Sequence, residues 1–150
     1  MKTLRLYTIL FLSFGVFSGY AQKDLRINDI FEDIGKQKGT LVKLGPDVLS
    51  TRTSIERYTS LRIKADEDVL KKVEDALNED TLQAEEILVS DKKDGSKIRQ
   101  YGLAKPRNNE YILYQLNEGY ISLVYLKGNF PSKSLKKELD KLKDLFIDLK

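Results

Sequence analysis

The side chains most often used for catalysis and metal binding are missing, because the 150 residues contain no histidine and no cysteine. That removes imidazole bases, thiolate nucleophiles, His or Cys metal ligands and the triads built on them. Carboxylates, lysine, tyrosine, serine and threonine are left to carry any chemistry. Glu85 and Glu86 are neighbours on a predicted strand, where successive side chains point to opposite faces, so they cannot act together across one substrate. Asp66-Glu67-Asp68 suits a helix N-terminus better than a calcium site. Asp91-Lys92-Lys93-Asp94-Gly95-Ser96 interleaves lysines where a calcium loop needs oxygen ligands and lacks the closing Glu, so it reads as a polar turn. Gly35 and Gly39 lie at a helix end and follow no strand, which excludes a phosphate loop. No metal and no cofactor is expected. A hydrolase working with two carboxylates across a cleft stays as a third reading, with no motif to place the acids.

Tyrosine is the other residue type that could do something. Five tyrosines fall between Tyr101 and Tyr125. On one sheet they could bind sugars or peptides, since each ring offers flat apolar area with a hydroxyl at its rim. The competing reading is that tyrosine is simply a good strand former at half-buried positions. The final segment carries Lys133, Lys136, Lys137, Lys141 and Lys143 among Glu138, Asp140, Asp144 and Asp148. Lys136 can pair with Asp140 four residues on, so this reads as a solvated outer helix face rather than a membrane-binding one.

Met1 to Ala21 reads as an export signal. Lys2 and Arg5 form a charged start, Leu6 to Phe17 an apolar run, and Gly19-Tyr20-Ala21 a cleavage site, with cleavage expected before Gln22. The apolar run is too short to span a bilayer, which takes roughly 20 residues. Cleavage takes Lys2 and Arg5 with it, so 26 basic residues less two leave 24 against 23 acidic. A nearly neutral product has no excess of cations to steer it to nucleic acid. A soluble periplasmic or secreted product is expected, with no transmembrane segment in the mature chain. Residues 22–150 suit one domain, and without cysteine its stability must come from packing.

The elements that would position any site centre on Tyr111 to Leu126, YILYQLNEGYISLVYL, read as two strands turned at Asn117-Glu118-Gly119. With Asn117 facing Tyr120, Leu116 faces Ile121, Tyr114 faces Leu123 and Ile112 faces Tyr125 on one face. The other face is graded, with Gln115 against Ser122 near the turn, then Leu113 against Val124 and Tyr111 against Leu126. Gly119 supplies a positive φ, but Glu118 is a poor first residue for a type I′ turn, so a four-residue loop in the same register is as good.

Ahead of this hairpin, Ile27, Ile30, Phe31 and Ile34 share one face of a short helix stopped at Gly39. Thr40 to Leu44 could form a brief strand before Gly45-Pro46, and residues 45–57 fit no period well. Leu61, Ile63 and Ala65 alternate with polar residues over Tyr58 to Ala65. A helix follows, with Asp66 as N-cap and Val69, Leu70, Val73, Ala76 and Leu77 as its apolar stripe. Glu85 to Val89 and Lys97 to Leu103 read as strands joined around Asp94-Gly95, and Lys105 to Asn109 as a loop. After Gly128, Pro131-Ser132 opens a helix with Leu135, Leu139, Leu142, Leu145, Phe146 and Leu149 in one stripe.

The expected fold class is therefore α+β: an antiparallel-rich sheet of about five strands, in the order strand, helix, four strands, helix. Two long helices would lie on one face, with an extra short N-terminal helix. Carrying the hairpin register back sets Leu103 against Tyr111 and Tyr101 against Leu113. Tyr101, Leu103, Tyr111, Leu113, Val124 and Leu126 then form an apolar patch on the face away from the long helices, the best candidate interaction surface.

INDIFEDIGKQKG, SLRIKADEDVLKKVEDAL and YISLVYLKGNFPSKSLKKELDKL together resemble small exported proteins of the Bacteroidota assigned to domain-of-unknown-function families. The resemblance implies export and an α+β fold and carries over no site residues. The expected role is a non-catalytic module of the envelope or periplasm that binds a protein, peptide or glycan through one sheet face or edge. The alternative is a carrier of a small apolar ligand held between the sheet and the C-terminal helix.

Overall fold

The computed structural model describes residues 25–149. The expected signal peptide, 1–21, and the cleavage site before Gln22 lie outside the described residues.

The first helix starts as α1 (Arg26–Asp29), widens into a single π turn (Ile30–Ile34) and ends as α2 (Gly35–Lys38). It is followed by β1 (Thr40–Leu44), a one-turn α3 (Pro46–Leu49), β2 (Ile55–Lys64) and α4 (Glu67–Asp80). Four strands come next: β3 (Glu85–Asp91), β4 (Lys97–Gly102), β5 (Glu110–Asn117) and β6 (Tyr120–Gly128). A 3-10 turn (Ser132–Ser134) then leads into α5 (Leu135–Leu149).

The six strands form one open sheet in the order β1-β2-β6-β5-β4-β3, with every neighbouring pair antiparallel. The sheet thus has six strands rather than about five, because Thr40–Leu44 does pair, with β2. By alternation β2 and β3 run parallel, so β2-α4-β3 is the expected crossover, and it passes over β6, β5 and β4 to the far edge of the sheet.

The central hairpin has the register read from its alternation, from Tyr111 against Leu126 to Asn117 against Tyr120. Its turn is the tight two-residue form, with Glu118 at φ 52° and Gly119 at φ 77°. Glu118 therefore holds a left-handed conformation that favours Asn or Gly.

Apolar side chains on both faces of β5 and β6 produce two cores. Face one carries Ile112, Tyr114, Ile121, Leu123 and Tyr125 with Leu61 and Ile63, and is covered by Ile27, Ile30 and Phe31 of the first helix and Val69, Val73 and Leu77 of α4. Face two carries Tyr58, Tyr111 and Leu126, and is covered by Leu135, Leu142 and Leu145 of α5 with Leu49 of α3. The two long helices accordingly lie on opposite faces, not on one. The physical reason is that Tyr111 and Leu126 need cover as much as Ile112 and Tyr125 do, and one helical layer cannot reach both.

Two neighbouring carboxylates at the end of α4 tie the distant first helix down. At the start of α1 no side chain of its own caps the free N–H groups. Asp80, at the end of α4, accepts the N–H of Arg26 at 2.7 Å and that of Ile27 at 2.9 Å instead. Arg26 also pairs with Glu79 at 3.1 Å. Gly39 ends the helix in extended backbone, φ −122°. Its small size is what matters, because a Cβ there would lie 2.5 Å from Leu61 Cδ1 and 3.0 Å from the Arg62 carbonyl oxygen.

Glu118→Asn should raise stability by about 0.5–1 kcal/mol by relieving the left-handed glutamate, read as a higher melting temperature; an unchanged or lower value would mean the glutamate is not strained. Asp80→Ala should cost about 0.5–2 kcal/mol, as loss of a helix cap does, and speed amide exchange in 26–38 ahead of the sheet. Uniform acceleration everywhere would show that the first helix is not a separate unit.

Candidate interaction surface

The six residues of the sequence-derived patch do not share a face. Tyr111, Leu113, Val124 and Leu126 lie on face two, but β4 pairs with β5 one residue away from the expected register, Tyr101 against Ile112 and Gly102 against Tyr111. A slip of one residue reverses the side of every side chain, so Tyr101 and Leu103 belong to the face-one core. The alternation could not discriminate, because this strand pair has apolar residues on both sides. The structure selects the register that puts Gly102 beside the Tyr111 ring, where a Cβ would sit 3.6 Å from that ring and from Ile87 Cδ1.

Tyr111 and Leu126 are themselves core. The Tyr111 hydroxyl donates to the Phe130 carbonyl at 2.6 Å, and the two rings stack with centroids 5.0 Å apart. Leu113 and Val124, by contrast, are only half-buried at the margin of the α5 layer. Exposure on face two is graded along every central strand toward the Glu118-Gly119 turn. It rises from Leu126 through Val124 and Ser122 to Tyr120, and from Tyr111 through Leu113 to Gln115 and Asn117. On β2 it rises from Tyr58 through Ser60 to Arg62. This is the wet-to-apolar grading read from the sequence, and it means that α5 and α3 cover only one half of the sheet.

The uncovered half carries Thr40, Arg62, Ser122, Gln115 and Ile98 in one row across five strands, with Val42, Ser60, Val124, Leu113 and Gln100 behind it. Tyr120, 38 % exposed, lies at its edge with the Arg62 guanidinium 4.0 Å from its ring centroid. From β2 to β4 the backbone here is paired on both sides within the sheet, and only β1 has an outer edge, so recognition over the middle of this surface would fall to these side chains.

The other tyrosines serve the fold. The Tyr125 hydroxyl donates to buried Glu110 at 2.7 Å, and Arg107 donates to the same oxygen at 3.2 Å. Burial, then the Glu110 carboxylate, push the Tyr125 phenol far above its ordinary pKa. Burial followed by Glu74, which accepts its hydroxyl at 3.1 Å, does the same to Tyr114. Both phenols therefore stay protonated near neutral pH. The expected N-cap is present, with Asp66 accepting the Val69 N–H at 2.9 Å. The Asp91-to-Ser96 segment is a hairpin turn in which Asp94 accepts the Ser96 N–H at 2.9 Å. Among the described residues no three or more acidic side chains are placed to hold a metal ion, and no helix is long and apolar enough to cross a membrane.

Glu138 is the acid that sequence reading missed, since it looked like one more charge on a solvated helix. It is 3 % exposed and accepts the Ser54 N–H at 2.6 Å and Lys141 Nζ at 3.1 Å, clamping the loop before β2 against α5. Its only sequence signal is its place on the α5 face one turn from Leu135 and Leu142. Burial opposes the charge, but the Ser54 and Lys141 bonds outweigh it and hold the carboxyl below its usual range.

A family of unknown function (DUF6108) matches residues 14–139 of the chain. No curated protein and no solved structure matches it.

A depressed folded-state pKa stabilises above the unfolded-state value and is lost as pH falls through the folded one. Glu138→Gln should therefore cost on the order of 1–2 kcal/mol at neutral pH and converge with the parent in acid, measured by urea unfolding across pH. A constant difference at all pH values would remove the charge from the argument.

Proposed function

The chain belongs to the DUF6108 family of unknown function, and we propose that it is an exported, non-catalytic binding module that receives a polypeptide on the uncovered half of face two. One observation carries this reading: face one is roofed by two helical segments side by side, whereas α5 and the single turn of α3 leave the turn-proximal half of face two open. Exposed Thr40, Arg62 and Gln115, in a row with half-buried Ser122 and beside half-buried Val42, Val124 and Leu113, suit the amphipathic surface of a polypeptide. A glycan platform is supported less, because Tyr120 alone of the five clustered tyrosines is exposed and Arg62 already lies over its ring. A carrier of an apolar ligand is also supported less, since Tyr111, Leu126, Phe130, Leu135 and Leu142 fill the space between sheet and α5. Export rests on the charged start, apolar run and cleavage pattern of Met1 to Ala21 and on the resemblance to exported Bacteroidota proteins.

Photo-crosslinking amino acids at Gln115 and Ser122 should capture a discrete polypeptide in the native envelope, while one at Lys71, exposed on α4 over the other face, should not. Arg62→Glu with Gln115→Arg should abolish capture without moving the melting temperature. Equal labelling from Lys71, or capture that survives the double variant, would sink the proposal. The intact mass of the exported product should correspond to a chain beginning at Gln22; a full-length cytoplasmic product would defeat the export half alone.

A further inference from the structure

We infer that the outer edge of β3 pairs with β3 of a second copy of this chain, antiparallel about a two-fold axis at Val89, independently of the surface proposed above. Among the described residues β3 ends the sheet and has β4 as its one strand partner. Lys92 N–H bonds to the Ser96 carbonyl at 2.9 Å, and Ser90 lies opposite Ile98 and Leu88 opposite Gln100. In an antiparallel ladder hydrogen-bonded residues alternate, so Lys92, Ser90 and Leu88 turn their backbone groups toward β4, and Val89 and Asp91 turn theirs outward. Val89 thus presents both an N–H and a carbonyl to solvent, which is what a residue on a two-fold axis needs to bond reciprocally with its own copy.

The side chains fit that axis. Leu88 and Val89 are 42 % and 46 % exposed, two of the few large apolar residues left on the surface. Pairing at Val89 sets the two valines together on face one and places Leu88 of each copy opposite Ser90 of the other on face two. Glu85 and Glu86 stand at one end of the strand, Lys92 and Lys93 at the other, all exposed. Ile87 is the extra residue of a bulge, which brings the two glutamates one step closer to the axis. An antiparallel pair then lays the Glu85-Glu86 end of each copy beside the Lys92-Lys93 end of the other. Asp91 does not disturb this arrangement, since Arg99 of its own chain holds it at 2.8 Å. A register centred on Ser90 would instead put Asp91 against Val89. The opposing reading is that charges flanking an edge strand keep it from pairing at all.

The interface is small, so the dimer should be weak, concentration-dependent and loosened by salt. Sedimentation velocity on the chain as it is exported should show a monomer–dimer equilibrium by millimolar concentration. Glu85→Lys with Glu86→Lys, and separately Lys92→Glu with Lys93→Glu, should each yield monomers, and mixing the two variants should restore the dimer. Val89→Pro, which removes only an outward N–H, should also give a folded monomer. Amide exchange supplies a second readout, with the Val89 N–H protected only where dimer forms. A wild-type chain monomeric up to millimolar concentration, or a dimer indifferent to both charge reversals and to Val89→Pro, would overturn the inference.

Discussion

A pair of strands that is apolar on both sides cannot leave either side in water, and the β5–β6 hairpin is such a pair. Ile112, Tyr114, Leu123 and Tyr125 point one way, Tyr111 and Leu126 the other. Everything else in the architecture answers that demand. The β2-α4-β3 crossover lays one helix over face one, the first helix is drawn beside it by the Asp80 carboxylate, and α5 returns beneath face two, pinned by Glu138 to the Ser54 backbone. Both carboxylates accept backbone N–H groups that would otherwise be orphaned, and both link segments far apart in sequence. These long-range polar interactions act as fasteners between segments.

How much could be read in advance divides along a physical line. Where a turn is tight and the alternation one-sided near it, the pattern was legible: setting Asn117 against Tyr120 gave the hairpin register, and Asp94-Gly95 located the β3–β4 connection without giving its register. Where a long loop joins strands apolar on both sides, as from Leu103 to Asn109, the pattern is the same in either register, and Tyr101 and Leu103 fell on the wrong side. The same two-sidedness hid the division of the long helices between faces. Residues 45–57 escaped because a single helical turn and a loop have no period, and Glu138 because a buried acid and an exposed one look alike until the partner Ser54 is known. Of the expected patch, Leu113 and Val124 survive at the margin of the open surface. Arg62, Thr40 and Gln115 were passed over because polar residues on a half-exposed strand are the ordinary case.

The tyrosines show how a functional-looking composition can be structural. Four of the five clustered rings are buried, and the hydroxyls of Tyr111, Tyr114 and Tyr125 are each spent on one partner inside the protein. Such hydrogen bonds allow large rings to be packed without stranding a polar atom. They also leave the open half of face two to smaller and more ordinary side chains.

The strand order has a consequence in time as well as space. β2 lies next to β6, so Lys64 meets Tyr120 and Tyr58 meets Leu126 in the middle of the sheet, not at its rim. Contacts between residues so distant along the chain form slowly and only after the later partner exists. Until β6 has left the ribosome, β1 and β2 have no sheet to join, and the surfaces that α4 and the first helix would cover are not yet assembled. A nascent chain of this topology stays without a central core through most of its synthesis, which is the state in which a polypeptide can be threaded through a secretion pore.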